Sequence, residues 1–412
     1  MSSSPPGCLF CGTPLVHTFV DLGMSPLCES FLAAEDVNRM EPFYPLHVRV
    51  CDSCFLVQLE QYVAPDEIFT EYAYFSSFSD SWVDHARRYA EQMTGVLGLG
   101  PDSLVVELAS NDGYLLQHFV AAGIPCVGIE PAANVAEAAV AKGVPTRVEF
   151  FGREAAQRML DEGLQPDLMA ANNVLAQVPD INDFVGGIGM LLEKRGRITI
   201  EFPHLWNLIE LRQFDTIYHE HFSYFSFLTT QRILAAHGMT VVDVEEIPTH
   251  GGSLRVHAEN ENTTTVPSPA VAELAERERN AGYETIERYA SFGPAVEETK
   301  RNLLRYLIDA RDAGRRVVGY GAPGKGNTLL NYCGIRSDLL EYTVDRNPYK
   351  HGRFLPGTHI PVHPPERIAE TKPDDILILP WNLEREIVEQ LAYTKEWGAR
   401  LVIPIPTAKV VG

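Results

Sequence analysis

Apolar positions along this chain fall into two recurring rhythms. From residue 103 the runs SLVVELASNDGYLLQHFVAAG, PCVGIEP (125–131), DLMAANNVL (167–175) and GRITIEFP (196–203) alternate short apolar strands with helical stretches. That alternation predicts βαβ units around a parallel sheet. MTVVDVEEI (239–247) and GGSLRVHAEN (251–260) follow as a closing pair of strands. A second βαβ rhythm occupies RRVVGYGAPGKGNTLLNYCG (315–334), LEYTVDRNP (340–348), DDILILPW (374–381) and ARLVIPIP (399–406). Between them, residues 268–312 carry charge at helical spacing and read as a long connector. SDSWVDHARRYAEQMTGVLG (79–98) reads as a helix, and YPLHVRVC (44–51) as a strand. The expected organisation is α/β: residues 1–70 a small module, 71–265 a Rossmann-like domain, 266–313 helical, 314–412 a second Rossmann-like domain.

Composition narrows the class. At 412 residues with 45% hydrophobic and 22% charged residues, the chain is an ordinary soluble globular composition too long for one core. No apolar run reaches the roughly 20 residues of a membrane span, and MSSSPPGCLF lacks the pattern of a secretory signal. A cytoplasmic protein without a membrane partner is expected. The net charge of −21 argues against nucleic acid as a partner. It also requires that any anionic substrate meet a local cationic patch.

Five of the seven cysteines lie in the first 54 residues, four of them in the knuckles CLFC (8–11) and CDSC (51–54). Cys8, Cys11, Cys51 and Cys54 can present four thiolates to one structural zinc ion and leave no open position for catalysis. Cys28 stands alone between them as a spectator.

Each Rossmann-like unit has a loop at the end of its first strand. Glu107-Leu108-Ala109-Ser110-Asn111-Asp112-Gly113 keeps only the last glycine of the dinucleotide fingerprint, and Glu130 falls about 20 residues on, where an acid grips ribose hydroxyls. Because the loop bears Asp112, it suits S-adenosylmethionine, with its positive sulfonium, better than the pyrophosphate of NAD. In GYGAPGKGNTLLN (319–331) the glycines surround Lys325 with no acid, a character suited to a pyrophosphate. Asp345 is the acidic tip of the next strand, and Arg346, Lys350, His351 and Arg353 follow it as a local basic patch.

Nine stretches in order, covering nearly the whole chain, resemble the zinc-containing, S-adenosylmethionine-dependent C-methyltransferases that act on nucleotide-linked deoxysugars. They are the C-x2-C pair, YAYFSSFSDSWVDH (72–85), VVELASNDGYLL (105–116), GIEP (128–131), NNVLAQVPD (172–180), IEFPH (200–204), FDTIYHEHFSYFS (214–226), HGGSLRV (250–256) and GYGAPGKGNTLLN (319–331). The resemblance implies methylation at C3 of a TDP-4-keto-deoxysugar, with S-adenosylhomocysteine as by-product, by a chain for which a monomer is the simplest assembly. It implies cofactor contacts at Glu107, Ala109, Asn111, Gly113, Glu130 and Asn173. The nucleotide sugar is expected between the middle and C-terminal domains, with Gln177, Lys325, Asn327, Arg346 and Arg353 as candidate contacts. Where this chain has Gln177, many relatives have histidine; glutamine can donate to a ketone but takes no proton at neutral pH. Tyr72 and Tyr74 read equally as a closure over the methyl donor or as core.

Methylation of carbon beside a ketone requires removal of its proton, hence a base near neutrality and a donor to the developing enolate oxygen. The segment Tyr218-His219-Glu220-His221 offers both. Spacing does not choose between the two histidines; the resemblance points to His221 as base, with Tyr218 as oxyanion donor and Glu220 orienting the imidazole. An O- or N-methyltransferase would need no such base. A nicotinamide-dependent sugar oxidoreductase and a sugar-binding scaffold are the other classes compatible with two nucleotide-type folds.

Overall fold

The structure is a computed structural model that describes residues 5–63, 76–78 and 80–412. Tyr72 and Tyr74 lie outside the described residues. Among the described residues, three sheets organise the fold. The first has the order β1-β2-β3-β9, formed by β1 (His17–Ser25), β2 (Tyr44–Val50), β3 (Val57–Leu59) and β9 (Ser223–Tyr224). Alternate residues of YPLHVRV are buried, as a half-buried antiparallel strand requires. Its last member, β9, comes from the middle of the chain and pairs Tyr224 with Val57 and Ser223 with Gln58.

The second sheet has the order β10-β11-β8-β7-β4-β5-β6. Its parallel part is β4 (Val105–Leu108), β5 (Cys126–Ile129), β6 (Thr146–Arg147), β7 (Leu168–Asn172) and β8 (Arg197–Pro203). The strands β10 (Met239–Ile247) and β11 (Ser253–Asn260) close it antiparallel. The third sheet runs β14-β13-β12-β15-β16-β17, from β12 (Val317–Tyr320), β13 (Thr343–Val344), β14 (Val362–His363), β15 (Asp375–Ile378), β16 (Arg400–Ile403) and β17 (Lys409–Val411). Strands such as VVEL and DILI are buried at every position, because helices cover both faces of a parallel sheet. In both large sheets the first strand is central and the order reverses between the first and fourth strands. Ligands of such folds bind at the carboxyl ends of the strands at that reversal.

Residues 268–312 do more than connect. They form helices Pro269–Asn280, Ile286–Ala290 and Phe292–Asp312, and these pack into the core. Phe292 stacks on Phe19 of β1 at 4.5 Å between centroids, and Tyr283 stacks on Trp206 at 5.3 Å. Among the described residues, no helix is long and apolar enough to cross a membrane.

One buried acid ties these helices to the second sheet. Glu278 has no solvent exposure. Its Oε1 meets His204 Nε2 at 2.6 Å and accepts from the Phe227 amide at 2.8 Å, and its Oε2 accepts from the Leu228 amide at 2.9 Å. Those amides open helix Phe227–Ala236, whose N-cap Ser226 accepts from Thr229. Orphan donors at a helix start are thus satisfied by a carboxylate on a distant helix. Glu278→Ala strands both amides and His204, so it should lower unfolding free energy by about 3 kcal/mol or more. The check is a denaturant titration of zinc-loaded protein; an unchanged midpoint would show that the site relaxes around the loss.

Candidate active site and metal centre

At the carboxyl end of the second sheet the backbone is strained. Ala109, Asn111 and Asn173 hold φ values of 56°, 48° and 56°, in the left-handed region that only glycine visits freely. Gly113, at φ 76°, has no room for a side chain, since a Cβ would lie 2.9 Å from Val144 Cγ2. Both oxygens of Glu130 are ordered by backbone: Oε2 accepts from the Asn111 amide and Oε1 from that of Ala132, each at 2.9 Å. Burial pushes Glu130 above the usual carboxylate range, and fully buried Glu107 well above it. Neither end of the Asn173 amide has a protein partner although both are buried. Turns pressed against the strand ends, a pre-ordered acid and an unsatisfied amide fit the adenosine end of a methyl donor. The charge argument needs correction, because Asp112 is neutralised by Lys142 Nζ at 2.8 Å and so does not face a cofactor as a free anion.

The histidine segment lies beside this edge. His221 Nδ1–H donates to the Thr216 carbonyl at 3.1 Å, which leaves Nε2 as the free lone pair. The Tyr218 ring lies 4.2 Å from that imidazole, centroid to centroid. Burial pulls His221 down to about 4, the Thr216 carbonyl opposes it, and His250 and Lys325 add to the fall. His219 is turned the other way: it is 4% exposed and its Nε2 meets the Pro45 carbonyl at 3.1 Å. Glu220 does not orient the imidazole; its Oε1 accepts from the Cys28 thiol at 3.6 Å. Burial, then Glu29, push Glu220 up to about 7. The partner expected of Glu220 is supplied to His221 by backbone instead. Gln177 is half-buried next to Ala176, whose carbonyl accepts from the Phe222 amide at 2.7 Å.

The second glycine loop is built like the first but filled differently. Asp345 Oδ2 accepts from the Ala322 amide at 2.7 Å, matching the relation of Glu130 to Asn111. At the start of helix Gly324–Cys333, however, the N-terminal module intrudes. A Cβ on Gly324 would lie 2.8 Å from Cys28 Sγ and 3.2 Å from Glu29 Oε1. Glu29 Oε2 pairs with Lys350 Nζ at 3.3 Å, and Asn327 Nδ2 donates to the Cys28 carbonyl at 2.5 Å. A carboxylate of the chain itself therefore lies beside the loop start that reads as suited to a pyrophosphate. Lys325 points elsewhere, donating to Asn382 Oδ1 at 2.9 Å with its Nζ 4.8 Å from the Trp381 ring centroid. Arg346 and Arg353 are exposed; Arg346 faces Glu386 at 3.7 Å and Arg353 Nε donates to the Tyr349 carbonyl at 3.1 Å. The described contacts do not join them to the histidine segment.

Two groups near His221 had no assigned role in the sequence reading. His250, at φ 53°, is pulled down to about 4 by burial and by Lys325, and its ring packs edge-on to Trp82 at 5.2 Å. Beneath it, Glu201 binds His85 and Arg255 at 3.1 Å each and accepts from Thr249 Oγ1 at 3.1 Å. The other is Asp215, fully buried in the turn before Tyr218. The glycine pair after His250 was the available signal for the first; nothing in the sequence marks the second.

The four knuckle cysteines converge, with ligand sulfurs all within 4.8 Å of one another. Cys8–Cys54 and Cys11–Cys51 are 3.5 Å apart, far beyond the roughly 2.05 Å of a disulfide and near the edge of a tetrahedron around zinc with bonds of about 2.3 Å. Cys28 stands outside the group. The donor set fits zinc. Purified protein should carry one zinc per chain by elemental analysis, and Cys51→Ser should lose the metal and fold poorly; folded, active protein without zinc would overturn the assignment.

Comparison with known proteins covers the chain from end to end. Residues 8–69 match a family model described as "Putative zinc binding domain", 82–244 one described as "Methyltransferase domain", and 248–406 one described as "C-methyltransferase C-terminal domain". The chain is 35% identical over 404 residues to C-methyltransferase NovU of Streptomyces niveus, covering 98% of this chain and 96% of that protein. Among solved structures, it is similar to the Synechocystis magnesium protoporphyrin IX methyltransferase with bound SAM (17% identity, 44% of this chain, 82% of that one, TM-score 0.33). It is also similar to the Burkholderia thailandensis 1,6-didemethyltoxoflavin-N1-methyltransferase (17% identity, 50% of this chain, 95% of that one, TM-score 0.35).

Proposed function

Since the chain belongs to the family of C-methyltransferases that carry an N-terminal zinc-binding domain, we propose that it methylates C3 of a TDP-linked 4-keto-deoxysugar through an enolate raised by His221. S-adenosylmethionine, when bound, supplies the electrophilic methyl group. The observation that carries the reading is the tautomer of His221. With Nδ1–H committed to the Thr216 carbonyl, Nε2 is left unprotonated, and burial keeps the ring neutral at physiological pH. Such an imidazole can take the proton from carbon.

Tyr218, packed on the same ring, would donate its hydroxyl to the oxygen that becomes the enolate. Ala109, Asn111, Gly113, Glu130 and Asn173, with Glu107 behind them, would hold the methyl donor. Gln177, next to the Ala176 carbonyl that ties down Phe222, would border the sugar. Lys325 would work from inside the cleft as a positive charge near the enolate, rather than as a phosphate anchor on the filled loop. Glu220 would shape the wall through Cys28.

His221→Ala should abolish methyl transfer while both ligands still bind. It should also suppress exchange of the C3 proton in deuterated water with S-adenosylhomocysteine in place of the donor. Tyr218→Phe should cost roughly 2–4 kcal/mol of barrier. A base pulled down to about 4 is protonated only below that pH, so the acid limb of the exchange rate should fall near pH 4, not near the roughly 6.5 of free imidazole. Wild-type exchange in His221→Ala would sink the assignment, and an O- or N-methyltransferase would show no exchange at all.

A further inference from the structure

Asp215 has no part in the reaction as described, yet its side chain is completely buried. It sits in the turn Phe214–Thr216, just ahead of Tyr218. Its Oδ2 accepts from Trp381 Nε1 at 2.6 Å, while Oδ1 is buried without a partner. Lys325 Nζ lies 4.8 Å from the centroid of the same indole and is fixed by Asn382. The next residue, Thr216, offers the carbonyl that binds His221 Nδ1, and the Ile217 carbonyl accepts from Thr328 Oγ1 at 3.0 Å. The turn that orients the imidazole is therefore gripped on either side of Thr216 by the C-terminal unit. A buried carboxylate is costly unless it is paired; here the nearby charge is the ammonium of Lys325, which opposes the burial that pushes Asp215 up to about 6.

We infer that Asp215 is a positioning residue: through the Trp381 indole it fixes the turn whose Thr216 carbonyl orients His221, and as counter-charge to Lys325 it sets the field around that imidazole. This rests on His221 as the base. The groups that face the pair are few. His221 meets Tyr218 and Tyr224 of its own segment, His250 from the turn after β10, and Lys325 from helix Gly324–Cys333. Asp215 meets Trp381, Lys325 and, on the same helix, Cys333. Removing the carboxylate charge leaves Lys325 uncompensated, which favours neutral His221 still further and weakens it as a base. Removing only the indole N–H leaves the charges and slackens the turn.

The test is C3-proton exchange in deuterated water by the zinc-loaded full chain, with a TDP-linked 4-keto-deoxysugar and S-adenosylhomocysteine, across pH. Wild-type exchange should step down as pH falls through about 6, where Asp215 takes up a proton; Asp215→Asn should lose that step and lie at the lower level throughout. Trp381→Phe should lower the plateau between about tenfold and a hundredfold, with KM little changed and the limb in place. A purely structural role for Asp215 would produce no step near pH 6 for the variant to lose. If Asp215→Asn does not fold, Trp381→Phe carries the test by its split of kcat from KM. Exchange lost in His221→Ala but wild-type in both other variants overturns this inference alone. Exchange that survives in His221→Ala overturns the base and this inference with it.

Discussion

The segment that carries Tyr218 and His221 has almost no regular structure of its own, so its shape is imposed from three sides. Its far end, β9, completes the sheet of the zinc module, and His219 and Glu220 are held there by the Pro45 carbonyl and the Cys28 thiol. The second sheet's unit holds its flanks, through Gln213 to the Gly251 carbonyl and the Phe222 amide to that of Ala176. The C-terminal unit holds its centre through Trp381 and Thr328. A loop set by its neighbours adopts its working conformation only when all three are docked. Folding of a zinc module thereby becomes a condition on the geometry of a histidine that binds no metal ligand itself.

The two Rossmann-like units show how one construction diverges. In each, the acid after the second strand binds an amide in the loop after the first: Glu130 with Asn111, Asp345 with Ala322. The loops differ in what lies above them. Over the first, the residues at the strand ends are strained and the Asn173 amide is unsatisfied, leaving polar groups that a ligand can meet. Over the second, Glu29 and Cys28 cross from the N-terminal module and Lys350 pairs with the carboxylate. A helix start that attracts an anion is here met by an anion of the same chain. The start of the second loop is thereby also an interface between modules.

Element types were readable because they rest on local periodicity. Continuous apolar runs gave the parallel strands, and alternation gave β2. The four cysteines were readable because tetrahedral thiolate binding imposes its own spacing. The helices at 269–312 were legible as helices but not as core, since Phe292 and Tyr283 find their partners Phe19 and Trp206 only through tertiary contact. At the second glycine loop, whose residues suit a pyrophosphate, the neighbour Glu29 was not readable for a similar reason: only long-range packing brings it there. The partner of His221 was missed because it is a backbone carbonyl, which no side-chain pattern announces. Asp215 was missed because its partner Trp381 lies in another unit.

Charge explains why this placement suits the proposed chemistry. A chain of net charge −21 gives a substrate anion no help at long range, and Lys350, Arg346 and Arg353 face glutamates or the surface. Of these four cations it is Lys325 that lies near the imidazole, and it acts on His221 in two opposing ways. It weakens the imidazole as a base, adding to burial. It also favours the enolate that proton removal creates, and more strongly in a dry site than in water. Before transfer the cation opposes a charge on the imidazole; after transfer the imidazolium and enolate charges largely cancel in its field, so the cost and the gain partly offset. What remains is set by how far Asp215 screens Lys325 from the imidazole while leaving it open to the sugar. Carboxylate and ammonium meet the same indole, one at its N–H and the other over its ring, and a neutral side chain in place of Asp215 would leave the balance tilted against the base.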